Sequence, residues 1–311
     1  MRIKWLCRFA ASSIVALGCA VLPGSNINAA SSVSSLAPKS SPVMPARSDF
    51  QERQEETIQK SFSVDPSGHD NRLEVDNVNG SIEVIGSTSG KIELVVNEVI
   101  RAESKEKLEK ARKEVTLDAT QEGGLVKLYV NGPFRCHCDD GCEGWRERGY
   151  SVKMDFHLQV PAAIAVNLKT VNEGHILVRN VTGGYSLRNV NGDIEMDDAT
   201  GSGQVRTVNG KLKVGFRENP HESSDFKSLN GNIDLSFAKN LAADFRFKTL
   251  NGRVFSDFPM TALAPRQGEA ARTNGKFVFR ADRSTGGRVG SGGPEINVEN
   301  LNGNISILER Q

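Results

Sequence analysis

Eight Asn-Gly dipeptides punctuate this 311-residue chain, where chance pairing of its 23 Asn with its 30 Gly would give about two. Both residue types tolerate positive φ, so the excess marks corners. Six pairs sit in one phrase: Val78-Asn79-Gly80-Ser81-Ile82, Val190-Asn191-Gly192-Asp193-Ile194, Val208-Asn209-Gly210-Lys211-Leu212, Leu229-Asn230-Gly231-Asn232-Ile233, Leu250-Asn251-Gly252-Arg253-Val254 and Leu301-Asn302-Gly303-Asn304-Ile305. Val171-Asn172-Glu173-Gly174 is a stretched version. From Asn172 to Asn251 the corner Asn residues lie 19, 18, 21 and 21 positions apart, and a second breaker recurs between them, as at Thr182-Gly183-Gly184 and Asn219-Pro220.

Between corners, apolar and polar residues alternate, as in Leu73/Val75, Ile82/Val84 and Ile233/Leu235/Phe237, which is the period of half-buried strands. One stretch, Ala102 to Val115, reads as a helix, with Leu108, Ala111 and Val115 on one face. A two-residue hairpin is the usual reading of Asn-Gly. Here it would pair Val190 with Asp193, Val208 with Lys211 and Leu250 with Arg253, an apolar residue beside a polar one in every repeat. A three-residue corner lets Val190 and Ile194 both point inward. The expectation is therefore an all-β, β-solenoid-like stack of short strands with corners at Asn79, Gly80, Asn191, Gly192, Asn209, Gly210, Asn230, Gly231, Asn251, Gly252, Asn302 and Gly303. Successive coils would stack with their Asn residues aligned. A meander rolled into a sandwich is the alternative.

At 38% hydrophobic the chain can bury a core, and its glycines follow no Gly-X-Y period, which excludes collagen. Residues 1–29 read as a signal peptide: Arg2, Lys4 and Arg8 precede an apolar run from Phe9 to Leu22, and Ile27-Asn28-Ala29 offers a cleavage site. Within it, Ala16-Leu17-Gly18-Cys19 resembles a lipoprotein box, so membrane contact is expected only through a lipid anchor at Cys19. Cleavage would take the formal charge from +1 to −2, since those three cations are the leader's only charges. No contiguous Lys/Arg block appears, so nucleic acid is not an expected partner. Residues 30–55 read as a Ser/Pro-rich linker and 56–311 as the repeat domain.

Cys136, His137, Cys138 and Cys142 fall in an insertion at 133–149. Export favours a disulfide from Cys142 to Cys136 or Cys138. A zinc site built from the same four residues is the alternative, although Cys-x-Cys is tighter than the usual ligand spacing. Trp145 and Tyr150 could contact a partner or cap the core. Asp193, Asp197 and Asp198 lack the glycine-rich spacing of calcium-binding repeats and read as solvated strand positions. The histidines (His69, His137, His157, His175, His221) are scattered, with no nucleophile–base pattern, and no cofactor is expected.

The repeated [Val/Leu]-Asn-Gly-x-[Ile/Val/Leu] phrase, with an opening strand, a short charged helix and a Val160-Pro161 step into the repeats, resembles the bacterial putative-adhesin family. That family, formerly a domain of unknown function, is built from β-strand repeats, and the resemblance covers about residues 56–311. It implies an exported envelope protein in the periplasm, at the outer membrane or on the cell surface. The implied action is adhesin-like or structural display towards an envelope protein or glycan. Envelope-stress sensing is an alternative that comes from the context of relatives, and a polysaccharide-active β-helix enzyme is one that rests on fold analogy.

Overall fold

Period-two burial runs through the chain. In Tyr185–Arg188, Leu212–Phe216 and Ile233–Phe237 the residues Tyr185, Leu187, Leu212, Val214, Phe216, Ile233, Leu235 and Phe237 are buried and their neighbours turn outward. Strands with alternating side chains do this when one face covers a core. A computed structural model of the chain describes residues 50–65, 71–135, 148–266, 269–274, 276–280 and 284–310, all within the unit Ala46–Gln311. Two sheets of ten and eleven strands enclose the core, and Glu269–Thr273 pairs with Lys276–Arg280 as a separate hairpin.

Seven coils, each giving one strand to either sheet, form the stack. They are Arg72–Asp76 with Ile82–Ser87, Ala165–Lys169 with Ile176–Arg179, Tyr185–Arg188 with Ile194–Ala199, Gly203–Asn209 with Leu212–Phe216, Ser224–Asn230 with Ile233–Phe237, Ala243–Asn251 with Val254–Ser256, and Glu295–Asn302 with Ile305–Glu309. Neighbouring coils pair in parallel in both sheets. The chain is all-β and β-solenoid-like, with parallel strands on both sides of the corners.

Named by their corner Asn, the coils lie in the order 79, 172, 191, 209, 230, 302, 251. Coils were expected to stack in sequence order, and the last one departs from this. Glu295–Asn302 lies between Ser224–Asn230 and Ala243–Asn251, parallel to both. The chain between these two coils makes the detour possible. The chain leaves the Asn251 coil, forms Met260–Leu263, and returns through Thr285–Val289, which runs antiparallel to Ala243–Asn251.

The two ends are finished differently. Beside the Asn79 coil, Tyr150–Pro161 continues one sheet in parallel, followed by antiparallel Lys91–Ala102 and Glu52–Ser63. Leu125–Asn131 and Thr116–Glu122 continue the other. Glu52 to Glu55 belong to a strand, with Glu52 opposite Ala102, so ordered pairing begins before the expected linker boundary at 55. The helix is Lys105–Glu114, shorter than the expected 102–115, because Ala102 ends a strand and the Ser104 side chain accepts from Lys107 N at 3.3 Å as the N-cap. Ala111 and Val115 are buried, and Leu108 packs on the core. Beside the Asn251 coil, Val254–Ser256 is the edge of its sheet.

Inside the stack the apolar columns include aromatic rings. Phe216 and Phe237 stack at 4.9 Å between centroids, and Phe245 and Phe247 at 5.5 Å. Phe216–Phe226 and Phe237–Phe245 meet edge to face, the geometry that ring quadrupoles favour.

Candidate interaction surface

The corners are built by close approach. A Cβ on Gly192 would lie 1.9 Å from the Gly174 carbonyl oxygen, one on Gly231 2.0 Å from that of Gly210, and one on Gly303 2.3 Å from that of Gly231. Positive φ, the property first associated with these pairs, is shared by Gly80, Gly192, Gly231 and Gly303, but none of the corner Asn residues is in that region. What recurs is backbone passing over backbone with no room for a side chain.

Beside the glycines runs an Asn ladder. Asn191 Nδ2 donates to Asn172 Oδ1 at 2.9 Å, Asn209 to Asn191 at 2.8 Å and Asn230 to Asn209 at 2.8 Å. It continues from Asn302 to Asn230 at 2.7 Å and from Asn251 to Asn302 at 2.8 Å, following the spatial order of the coils. Asn79 is buried and donates instead to the Val152 carbonyl at 3.2 Å.

A second polar column was not anticipated. Asn77, Thr170, Asn189, Thr207, Ser228 and Asn300, each two residues before a corner Asn, are buried. Thr170, Asn189, Thr207, Ser228 and Asn300 donate to the carbonyls of Gly80, Gly174, Gly192, Gly210 and Gly231 at 2.8–3.2 Å. They satisfy carbonyls that the turn takes out of the sheet ladder. The clue in the sequence was a small polar residue recurring at that offset.

This column corrects the three-residue corner. Val190 was expected to point inward with Ile194, but the inward residue is Asn189, and the corner runs over four residues from Val190 to Asp193. The Val and Leu residues of the phrase therefore face outward. Val78, Val171, Val190, Val208 and Leu301 are half-buried, whereas Leu229 is 39% and Leu250 69% exposed. They form an apolar ridge along the stack.

Two residues before the ridge, a charged row runs parallel to it. Asp76, Lys169, Arg188, Arg206, Lys227, Glu299 and Lys248 lie opposite one another in successive strands. Asp76 holds Lys169 at 3.2 Å and Arg135 at 2.7 Å, and Glu299 holds Lys227 at 2.8 Å and Lys248 at 3.2 Å. Burial pushes the Glu299 carboxyl up, but its hydrogen bonds and charge contacts with the two lysines outweigh that and hold it below the usual carboxylate range. Between these carboxylates, Arg188 and Arg206 are exposed and directly opposite each other, with no ion pair or side-chain hydrogen bond among the described residues. The sequence spreads these cations too far apart to read as a block.

Cys136, His137, Cys138, Cys142 and Trp145 lie outside the described residues, as do Cys19 and the whole leader. Tyr150 belongs to the core. Its hydroxyl donates to Glu114, and burial followed by that bond pushes its pKa up to about 12. Asp193 Oδ1 accepts from Lys211 N at 2.6 Å, tying one corner to the next. Asp197 and Asp198 share Arg310, at 3.4 and 2.6 Å, so the three aspartates are engaged in two separate places. His157 pairs with Glu83 at 3.0 Å, His175 with Ser81 at 3.2 Å, and His221 is exposed elsewhere.

Residues 165–308 match the family model described as Toastrack DUF4097. No curated protein matches the chain. Among solved structures, a putative cell adhesion protein from Clostridium sporogenes ATCC 15579 is similar at 11% identity and a TM-score of 0.39, over 82% of this chain and 100% of that one. A putative adhesin from Bacteroides fragilis NCTC 9343 is similar at 12% identity and a TM-score of 0.36, over 82% and 97%.

Proposed function

We propose that this chain, which carries a Toastrack DUF4097 domain over residues 165–308, is an exported, non-catalytic protein of the cell envelope that displays a surface in adhesin-like fashion. The observation behind this reading is the set of outward rows held in register by parallel coils. The interior is mainly aliphatic and aromatic, and its buried polar column is committed to the corner carbonyls, so the chemistry available to a partner lies on the outside. The leader pattern at residues 1–29 supports export.

The turn at Gly123-Gly124, between Thr116–Glu122 and Leu125–Asn131, can carry an epitope, since nothing lies within 4 Å of a Cβ placed at Gly123. The expected result is labelling of intact cells, with reduced attachment to a substratum when the chain is deleted. Epitope retained in the cytoplasm overturns export. Label that appears only after the envelope is permeabilised, with attachment unchanged, overturns the adhesin-like role.

A further inference from the structure

The row of cations and the ridge beside it form one amphipathic edge. Lys169, Arg188, Arg206 and Lys227 occupy four adjacent strands, which span about 14 Å at a strand spacing of about 4.8 Å. Val171, Val190, Val208 and Leu229 follow two residues later in the same coils, about 7 Å further along the strand direction. The outer cations are paired with Asp76 and Glu299, each carboxylate being shared with a second cation, but the central arginines have no such partner among the described residues. Like charges directly opposite in a sheet oppose folding, so this pair is a cost to the fold that a bound anion would relieve.

We propose that this edge docks on the surface of an anionic phospholipid membrane. The cations would meet headgroup phosphates, and Val190, Val208 and Leu229 would reach the level just beneath them. Charge complementarity selects an anion. The ridge selects an amphiphile, because a soluble polyanion has nothing to place against it, whereas interfacial binding draws on buried apolar area and charge together. The proposal names a partner for the display surface and so rests on that reading. The test below measures the partner alone, and localisation and attachment decide the display role separately.

The full chain is sedimented with vesicles of phosphatidylcholine, with and without phosphatidylglycerol. Binding is read as the ratio of anionic to neutral partition, so that any contribution common to both vesicles cancels. The ratio should exceed one and fall as salt rises. Arg188→Gln with Arg206→Gln should lower it roughly twenty-five-fold, at about fivefold per lost cation, while Arg188→Lys with Arg206→Lys should largely retain it. The Gln pair should melt no lower than the native chain, because repulsion is removed. Leu229→Ser with Leu250→Ser should lower the partition onto the anionic vesicles itself, read beside the ratio, but leave binding to dextran sulfate unchanged. A Gln pair that partitions like the native chain overturns the proposal. So does dextran sulfate binding as tight as vesicle binding, with no effect of the Leu substitutions, which would make the partner a soluble polyanion.

Discussion

Single side chains in this protein act mainly by what they leave room for. Gly231 has φ +146° and a Cβ there would lie 2.0 Å from the Gly210 carbonyl oxygen, whereas Gly123 has φ +58° with open space around it. Gly231→Ala should therefore cost about 3 kcal/mol, from backbone strain plus forced separation of two coils. Gly123→Ala should cost about 1 kcal/mol, from the left-handed backbone alone. Denaturant unfolding of the two variants measures the difference, and equal costs would mean that φ rather than close approach selects glycine. Glycine at the corners was readable from the dipeptide count, but its reason was not, because the obstructing atom belongs to a residue some twenty positions away.

At the scale of strands, Glu299 ties three coils together through Lys227 and Lys248. Its folded pKa lies below the ordinary value, so its contribution is complete above the unfolded pKa of about 4.3 and is lost as pH falls through the lower folded value. Asp244, held down by its hydrogen bond to Arg288, acts in the same direction between Ala243–Asn251 and Thr285–Val289. Glu299→Gln should melt below the native chain at pH 7, with the two melting temperatures converging as pH falls through the lowered folded value. A constant gap across that range would show that the lysines do not favour the ionised carboxyl. Exposure of the three side chains keeps the gap small. Strand type and the helix were legible from period two and from the Leu108/Ala111/Val115 spacing. Which face Val190 and its counterparts take was not legible, because an apolar residue looks like core until the buried Asn189 column is seen.

Across the whole molecule, the inserted coil joins the end of the chain to its middle. The Asn230 and Asn251 coils meet through the Asn302 coil and do not pair directly in either sheet. Hydrogen exchange should find Ile305–Glu309, paired on both sides, slower than the edge strand Val254–Ser256, although the former lies at the chain terminus. Truncation after Pro294 should reduce protection in Ala243–Asn251, which keeps only its antiparallel partner Thr285–Val289, as well as shortening the stack. Faster exchange in Ile305–Glu309 than in Val254–Ser256, or intact protection after truncation, would remove the insertion from the account. The sequence by itself determined the coil, since turn chemistry and alternation are local and repeat every 18–21 residues. Tertiary structure decided the order of the coils and the assembly of the outer rows. One Asn-Gly coil stacks on any other with the same hydrogen bonds, so local pattern cannot rank neighbours. Arg188 and Arg206 become a pair only when parallel register brings residues 18 positions apart to a single strand spacing.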